Sequence, residues 1–340
     1  MNIDFTVKSI RQETPDVKSF ILQPSAPFTY KPGQFLNVIH PGNSDQRRSY
    51  SLSSHPDYDD PTITLRRIAN GEVSRWLFDH VKPGDKIQSA GASGLFTLPE
   101  KLDHYEALVF LCAGTGITPA FSLIKEALLS KSFKKVILIY SNRNPSSTVF
   151  LNEINKLAAE FPSQFIVQHF YSHSQNLAQA RLGRLALEAL LTRHLIDVEK
   201  ALFFLCGPHL YMDNIIITLL TAGVPDDHIR REIFFNPEPL PDIQPPDRDQ
   251  HLVSIQYQGK QYFLRVQFPT SILQSAKNQG IILPYSCEAG RCGTCAATCT
   301  KGEVWMKRNE VLVDKEIARG RVLTCTGYPV GGDVDLVIKD

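Results

Sequence analysis

Apolar and polar positions follow three different rhythms along the chain. Over residues 1–103 the apolar positions form short runs, Phe5–Ile10, Val17–Leu22, Phe35–His40 and Thr62–Ile68, punctuated by turns such as Lys31-Pro32-Gly33 and Lys82-Pro83-Gly84-Asp85. Only Val73–His80 carries a helical period there. Evenly spaced short strands predict an antiparallel barrel. Over 104–236 the pattern changes. The continuous apolar runs Ala107–Cys112, Val136–Tyr140, Phe165–Phe170 and Ala201–Leu205 alternate with helix-like Pro119–Leu129, Val149–Glu160 and Leu210–Leu220. Strands buried on both faces and alternating with helices predict an α/β layer with a parallel sheet. Residues 251–340 open with a hairpin, Leu252–Tyr257 and Gln261–Phe268, turning at Gln258-Gly259-Lys260, then a short helix, Ser271–Asn278, and brief β-runs.

The segment Asn236–Asp247 holds five prolines and no apolar period. It reads as a semi-rigid linker. The expected domains are therefore 1–103, 104–236 and 251–340, with residues 237–250 as the linker. At 340 residues, 43% hydrophobic and a net charge of +1, the chain has the composition of an ordinary globular enzyme. Balanced charge without a basic run argues against nucleic-acid binding. No apolar run reaches the length of a membrane span, and Met1–Phe5 lacks a basic-then-apolar signal pattern.

Seven cysteines are present. Cys287, Cys292 and Cys295 lie in C-x4-C-x2-C within Tyr285-Ser286-Cys287-Glu288-Ala289-Gly290-Arg291-Cys292-Gly293-Thr294-Cys295, and Cys325 follows after a long gap. This is the plant-type spacing of four thiolates around a [2Fe–2S] cluster. Glycines let such a loop bring backbone N–H groups close to the cluster sulfurs. Cys299 competes with Cys325 as fourth ligand on spacing alone. Zinc is the alternative metal, since Cys292 and Cys295 are spaced like half a zinc site. The x4 spacing and the glycine-rich loop argue against it. Cysteines grouped as ligands in a long chain suit a reducing cytoplasm better than a secreted disulfide framework.

Four further motifs precede this loop. In Arg48-Ser49-Tyr50-Ser51, alternation along a strand puts Arg48 and Tyr50 on one face, a cation for a phosphate beside a flat ring for an aromatic system. Gly71-Glu72-Val73-Ser74 opens the short helix, where free N–H groups favour an anion, although an ordinary N-cap reads the same way. Gly114-Thr115-Gly116-Ile117-Thr118-Pro119 joins a strand to a helix, with glycines suited to a pyrophosphate and a proline suited to a first helical turn. Cys206-Gly207-Pro208 ends the apolar run Ala201–Leu205, at the strand end where α/β folds place ligands. Cys206 alone reads equally as a small buried hydrophobe.

In this order the motifs resemble the ferredoxin–NADP⁺-reductase-like superfamily fused to a C-terminal plant-type ferredoxin, over nearly the whole chain. Within it the chain looks most like the reductase subunits of phenylacetyl-CoA epoxidases, followed by the NADH oxidoreductases of hybrid-cluster proteins. The resemblance implies a multi-domain fold: an antiparallel β-barrel FAD domain, an α/β parallel-sheet NAD-binding domain and an α+β β-grasp ferredoxin domain. It implies that Arg48 holds the flavin phosphate, Tyr50 packs on the isoalloxazine and Ser51 lies near flavin N5. Gly71, Val73 and Ser74 would cradle the FAD pyrophosphate. Gly114, Thr115, Gly116 and Thr118, with Pro119 behind them, would line the nicotinamide nucleotide phosphates and the flavin edge. Cys206, Gly207 and Pro208 would sit where nicotinamide meets flavin, and Glu232 and Phe234 match the E-x-F that closes such reductases. Cys325 is favoured as fourth cluster ligand.

The nicotinamide choice turns on Tyr140-Ser141-Asn142-Arg143, where Arg143 has no second basic residue near it until Lys156. That favours NADH and leaves NADPH open, because one Arg can serve either. The expectation is an NADH-dependent reductase carrying electrons through FAD and [2Fe–2S] to a partner oxygenase component, with the phenylacetyl-CoA epoxidase as the particular candidate. A hybrid-cluster protein as acceptor is the alternative, and a redox-sensing module without turnover is the alternative of another class. Hydride transfer needs no side-chain acid or base, so no catalytic residue is assigned.

Overall fold

The computed structural model describes residues 2–130, 132–176, 179–234 and 243–339, without the side chains of 43–46. The chain divides into two compact units, Met1–Phe234 and Phe235–Asp340. Of the expected linker, residues 237–242 lie outside the described residues.

The first unit begins with six antiparallel strands: β1 (Ile3–Thr14), β2 (Val17–Pro24), β3 (Phe35–His40), β4 (Asn43–Ser51), β5 (Thr62–Arg66) and β6 (Lys86–Ser93). Their order is β4-β3-β6-β1-β2-β5, and a bridge between Leu52 and Ile63 brings the two sheet edges together. Inward residues such as Phe5, Val7, Phe20, Leu22, Leu36 and Val38 alternate with solvated ones and fill the interior. Helix α1 (Glu72–His80) closes one end with Val73 and Leu77. The short runs of the sequence correspond to β1, β2, β3 and β5. Strand β6 was not expected, because its Ser, Gln, Ala and Gly residues carry little β-branched or aromatic signal.

The α/β layer follows. A five-stranded parallel sheet has the order β11-β10-β7-β8-β9, with β7 (Ala107–Ala113), β8 (Lys135–Asn142), β9 (Phe165–Tyr171), β10 (Ala201–Cys206) and β11 (Ile229–Glu232). Helices α2 (Ile117–Ser130), α3 (Leu151–Glu160), α4 (Arg184–Arg193) and α5 (His209–Thr221) connect and cover it. Period-two alternation splits β7 between two cores. Leu108, Phe110 and Cys112 pack with α2 and α3, while Ala107, Val109 and Leu111 pack with α4 and α5. The strand order reverses between β7 and β10, so the crevice outside their carboxyl ends is the place for a ligand. The barrel is fastened to α2 here. Ser122 Oγ donates to the Ser54 carbonyl at 2.6 Å, and buried His55 pairs with Glu126 at 2.9 Å.

The second unit has a mixed sheet ordered β13-β12-β16-β14-β15, from β12 (His251–Tyr257), β13 (Lys260–Val266), β14 (Ala296–Met306), β15 (Arg321–Leu323) and β16 (Gly327–Val337). Strand β12 runs parallel to β16 and the other pairs are antiparallel. Helix α6 (Ile272–Asn278), capped by the Ser271 hydroxyl, buries Ile272, Leu273 and Ala276. Helix α7 (Asp314–Ile317) precedes β15.

Candidate functional site

A connected path of contacts runs along the crevice of the first unit. At the end of β4 the Ser51 hydroxyl donates to Glu232 Oε1 at 3.1 Å. Glu232 lies opposite Cys206 in the β10–β11 ladder. The Cys206 carbonyl in turn lies against the loop after β7, where a Cβ on Gly116 would stand 2.0 Å from that oxygen. No other residue fits at 116 without moving backbone, which is the reason for glycine there. Ser51, Glu232, Cys206, Gly207 and Gly116 are thus brought together although they are spread over much of the sequence.

Burial sets the electrostatics of this path. The Glu232 carboxyl is raised to about 8 by desolvation, against the opposing effect of the Ser51 hydrogen bond. Burial, followed by the nearby Glu232, pushes the Cys206 thiol well above its ordinary range. Desolvation therefore favours the neutral forms of both the carboxyl and the thiol, and this partly buried floor suits a ring system. The Tyr50 phenol is likewise raised by burial, with Arg48 pulling the other way. Arg48 itself is exposed, on the same β4 face as Tyr50 and opposite Val38 of β3, and Ser49 donates to Asn37 Oδ1 at 3.2 Å.

Two helix starts leave their first N–H groups without side-chain caps. Gly71 is the N-cap of α1 and offers no side chain, so the first-turn N–H groups have no side-chain cap. Ser74 Oγ is engaged within the turn, donating to the Gly71 carbonyl at 3.0 Å and accepting from Ile68 N–H at 3.2 Å. It shapes the cradle as well as lining it. After β7, Thr118 Oγ1 donates to the Thr115 carbonyl at 3.0 Å, Pro119 is buried in α2, and Tyr140 OH donates to the Gly114 carbonyl at 2.9 Å. These uncapped amides and the absence of Cβ atoms fit dinucleotide phosphates. Arg143 is exposed just beyond β8, and Phe234 is about half exposed, at 49%.

Two residues here escaped the sequence reading. The Arg66 guanidinium reaches from β5 to Gly114, with Nη2 3.6 Å from the position of a Gly114 Cβ. It places a cation from the barrel over the phosphate-type loop. Tyr211 OH donates to the Cys112 carbonyl at 3.2 Å, and its ring lies against Gly207. Neither belongs to a motif, and only the register of Arg66 at the end of a β-run could have drawn attention to it.

In the second unit the cysteine loop groups its thiols in two pairs. Cys287 neighbours Cys292, and Cys295 neighbours Cys325, each within hydrogen-bonding contact. In each pair one thiol is held low by the other's hydrogen bond, Cys287 by Cys292 and Cys295 by Cys325. Ala289 N–H and Arg291 N–H also point at Cys287 Sγ, at 3.4 and 3.5 Å. Among the described residues no three such side chains converge on a point that would hold a single ion. Two thiol pairs with N–H groups aimed at sulfur fit the cluster. Cys299 lies apart: its thiol contacts the carbonyls of Lys301 and Gly302.

Three domain families match the chain. An oxidoreductase FAD-binding domain matches residues 4–98, an oxidoreductase NAD-binding domain residues 110–215, and a 2Fe-2S iron-sulfur cluster binding domain residues 255–330. Fold and site together define an iron–sulfur flavoprotein reductase. The ferredoxin reductase component of 3-ketosteroid-9-alpha-monooxygenase from Rhodococcus rhodochrous is 33% identical, over 97% of this chain and 95% of that protein. In Escherichia coli (strain K12), one of the subunits of 1,2-phenylacetyl-CoA epoxidase is 26% identical, over 97% and 95%, and the NADH oxidoreductase HCR is 29% identical, over 98% and 96%. Phthalate dioxygenase reductase shares the fold, with a TM-score of 0.62 at 22% identity over 99% of this chain and 98% of that one. The chain belongs to the family of ferredoxin-reductase flavoproteins that carry their own [2Fe–2S] domain. It is an oxidoreductase that passes electrons from a nicotinamide nucleotide through FAD to a [2Fe–2S] cluster. No helix among the described residues is long and apolar enough to cross a membrane.

Proposed function

We propose that this reductase delivers its electrons to an oxygenase component, and that the crevice path from Ser51 through Glu232 and Cys206 to Gly116 is where nicotinamide meets flavin. The observation that carries the reading is the contact of the Gly116 loop with the Cys206 carbonyl beside the Ser51–Glu232 hydrogen bond. It joins the barrel to both strands of the topological switch point. Bound FAD supplies the conversion of an arriving electron pair into single electrons, which a [2Fe–2S] cluster requires. The chain's own residues do the placing. Arg48 and the α1 amides at Gly71, Val73 and Ser74 hold the FAD phosphates, and Tyr50 covers the ring. Gly114, Thr115, Gly116 and Thr118, with Arg66 above them, hold the nicotinamide nucleotide. The partly buried Ser51–Glu232–Cys206 floor excludes water. Cys287, Cys292, Cys295 and Cys325 would hold the cluster through their thiolates.

Residues 1–103, 104–236 and 251–340 are the FAD, NAD and ferredoxin domains in this reading, with 237–250 between them. NADH is preferred because no second basic residue follows Arg143 in the sequence until Lys156. The seven cysteines are all unbridged, which suits the cytoplasm. An oxygenase acceptor is supported by the relative at 33% identity, a monooxygenase component. The phenylacetyl-CoA epoxidase in particular is supported by one relative at 26%. The alternative, a hybrid-cluster-type acceptor, draws on the relative HCR at 29%. Anaerobic NADH titration followed by reconstitution with purified oxygenase components tests the reading. Bleaching of flavin and cluster, then oxygenase turnover, is the expected result. Reduction by NADH with no oxygenase served would replace it.

A further inference from the structure

The cluster loop is braced by a group of three charged side chains to which the electron path above assigns no part. Arg291, immediately before Cys292, has its Nε 3.3 Å from Glu310 Oε2, and Arg308 has its Nε 3.3 Å from Glu310 Oε1. All three side chains are largely buried, at 11%, 9% and 17% exposure. The segment that carries two of them also clasps the loop through backbone. Glu310 N–H donates to the Gly290 carbonyl at 2.9 Å. Gly290, with φ of +74°, lies so close to the Arg308 carbonyl that a Cβ would stand 2.4 Å from that oxygen. The same carbonyl accepts the Thr326 hydroxyl at 2.7 Å, and Lys307 N–H donates to the Thr326 carbonyl at 2.8 Å. One segment, 307–310, thus grips both the loop between Cys287 and Cys292 and the residue after Cys325.

Arg291, Arg308 and Glu310 keep fixed charges in a poorly solvated place beside the loop. Buried charges act on their neighbours with little screening. With four thiolates the oxidised cluster carries about −2, and gaining one electron takes it to about −3. A fixed buried cation favours the more negative state. Net charge and hydrogen bonds to sulfur are the terms that set such potentials.

We propose that Arg291, Glu310 and Arg308 form a positioning and potential-setting group for the [2Fe–2S] site. It holds the loop so that the amides of Ala289 and Arg291 face Cys287 Sγ, and each of its buried charges shifts the potential according to its sign. This rests on the assignment of Cys287, Cys292, Cys295 and Cys325 as ligands. The test is an EPR-monitored redox titration of the full-length holoprotein. Glu310→Gln keeps the size and removes the negative charge, so the midpoint potential rises. Arg308→Gln removes a positive charge, so it falls, and Arg308→Lys restores it towards wild type. Shifts of opposite sign are the expected result. Shifts of the same sign, or none, overturn the proposal, as does loss of the cluster from both charge-changing variants. If Arg308→Gln alone loses its cluster, Glu310→Gln decides, and an unchanged or lower potential overturns the proposal. Absence of a cluster from the wild-type protein would instead refute the ligand assignment, which keeps the two failures apart.

Discussion

Ser51 and Glu232, 181 residues apart, are joined by a 3.1 Å hydrogen bond that ties the last residue of a barrel strand to the last strand of the parallel sheet. The bond lies on β11, one strand from the topological switch point between β7 and β10. It makes the carboxyl of Glu232 a reporter of the crevice.

Because the Glu232 carboxyl is raised from 4.5 to about 8, the folded apoprotein holds a proton there that the unfolded chain releases. Its contribution to stability is fully present below pH 4.5 and is lost as pH rises through about 8. The loss amounts to a few kcal/mol at most, on the order set by the linkage relation for a partly buried group. Glu232→Gln should flatten the Tm-versus-pH curve of the apoprotein in that window and leave the variant more stable than wild type above it. Thermal scans from pH 5 to 9 check this. A curve unchanged by the substitution would show that the carboxyl is not titrating in the crevice.

Gly116→Ala should disable nicotinamide use while sparing FAD. The added methyl meets the Cys206 carbonyl at 2.0 Å, so one of the two loops must move. Overpacking of this kind costs roughly 1–3 kcal/mol. The rate of flavin bleaching by NADH should fall about tenfold or more, in line with about 1.4 kcal/mol per decade. Stopped-flow absorbance with FAD-replete protein separates this from flavin loss.

Arg66→Ala should raise KM for NADH by about tenfold or more, since a hydrogen bond to a charged group contributes roughly 1.5–3 kcal/mol. The rate at saturating NADH should change much less. Arg143→Ala is expected to weaken NADPH use more than NADH use, because a guanidinium there matters most to a 2′-phosphate. Steady-state kinetics with both nucleotides check the pair, and a wild-type preference for NADPH would refute the assigned role of Arg143.

The sequence revealed what local chemistry writes down. Buried strands such as Ala107–Ala113 show as unbroken apolar runs, and the cysteine loop shows by spacing. Helix α4 stayed hidden because Leu185 points to solvent at 80% exposure and blurs the helical period. Strand β11, with Arg230 and Arg231 among its residues, carries too few apolar positions to read as buried. Arg66 was illegible for a different reason. It shares an Arg-Arg pair with Arg67; Arg66 pairs with Asp16 and Arg67 with Asp79, and only the folded barrel turns one of them towards Gly114.

Cys325→Ser should abolish cluster binding and Cys299→Ser should leave it nearly intact. Cys325 contacts Cys295, whereas the Cys299 thiol is occupied with the carbonyls of Lys301 and Gly302. Visible absorption and iron content of about two per chain distinguish the outcomes. The reverse result would move the fourth ligand to Cys299.

Removal of residues 237–340 should leave a folded FAD protein that still accepts electrons from NADH. Residues Met1–Phe234 form a compact unit with its own barrel interior and its own sheet cores. The truncated protein should reduce ferricyanide, which is small enough to reach a flavin directly, and should fail with cytochrome c or with the oxygenase partner. Residues 251–340 carry eleven Lys and Arg against eight Asp and Glu, so their side chains sum to +3. An oxidised four-thiolate cluster at about −2 leaves a nearly neutral domain. Partner reduction by the full-length protein should therefore depend only mildly on salt between low and physiological ionic strength, where a strongly acidic ferredoxin domain would show steep screening. Full turnover of the oxygenase by the truncated protein would mean that electrons leave from the flavin, and the cluster would have no place as the exit port.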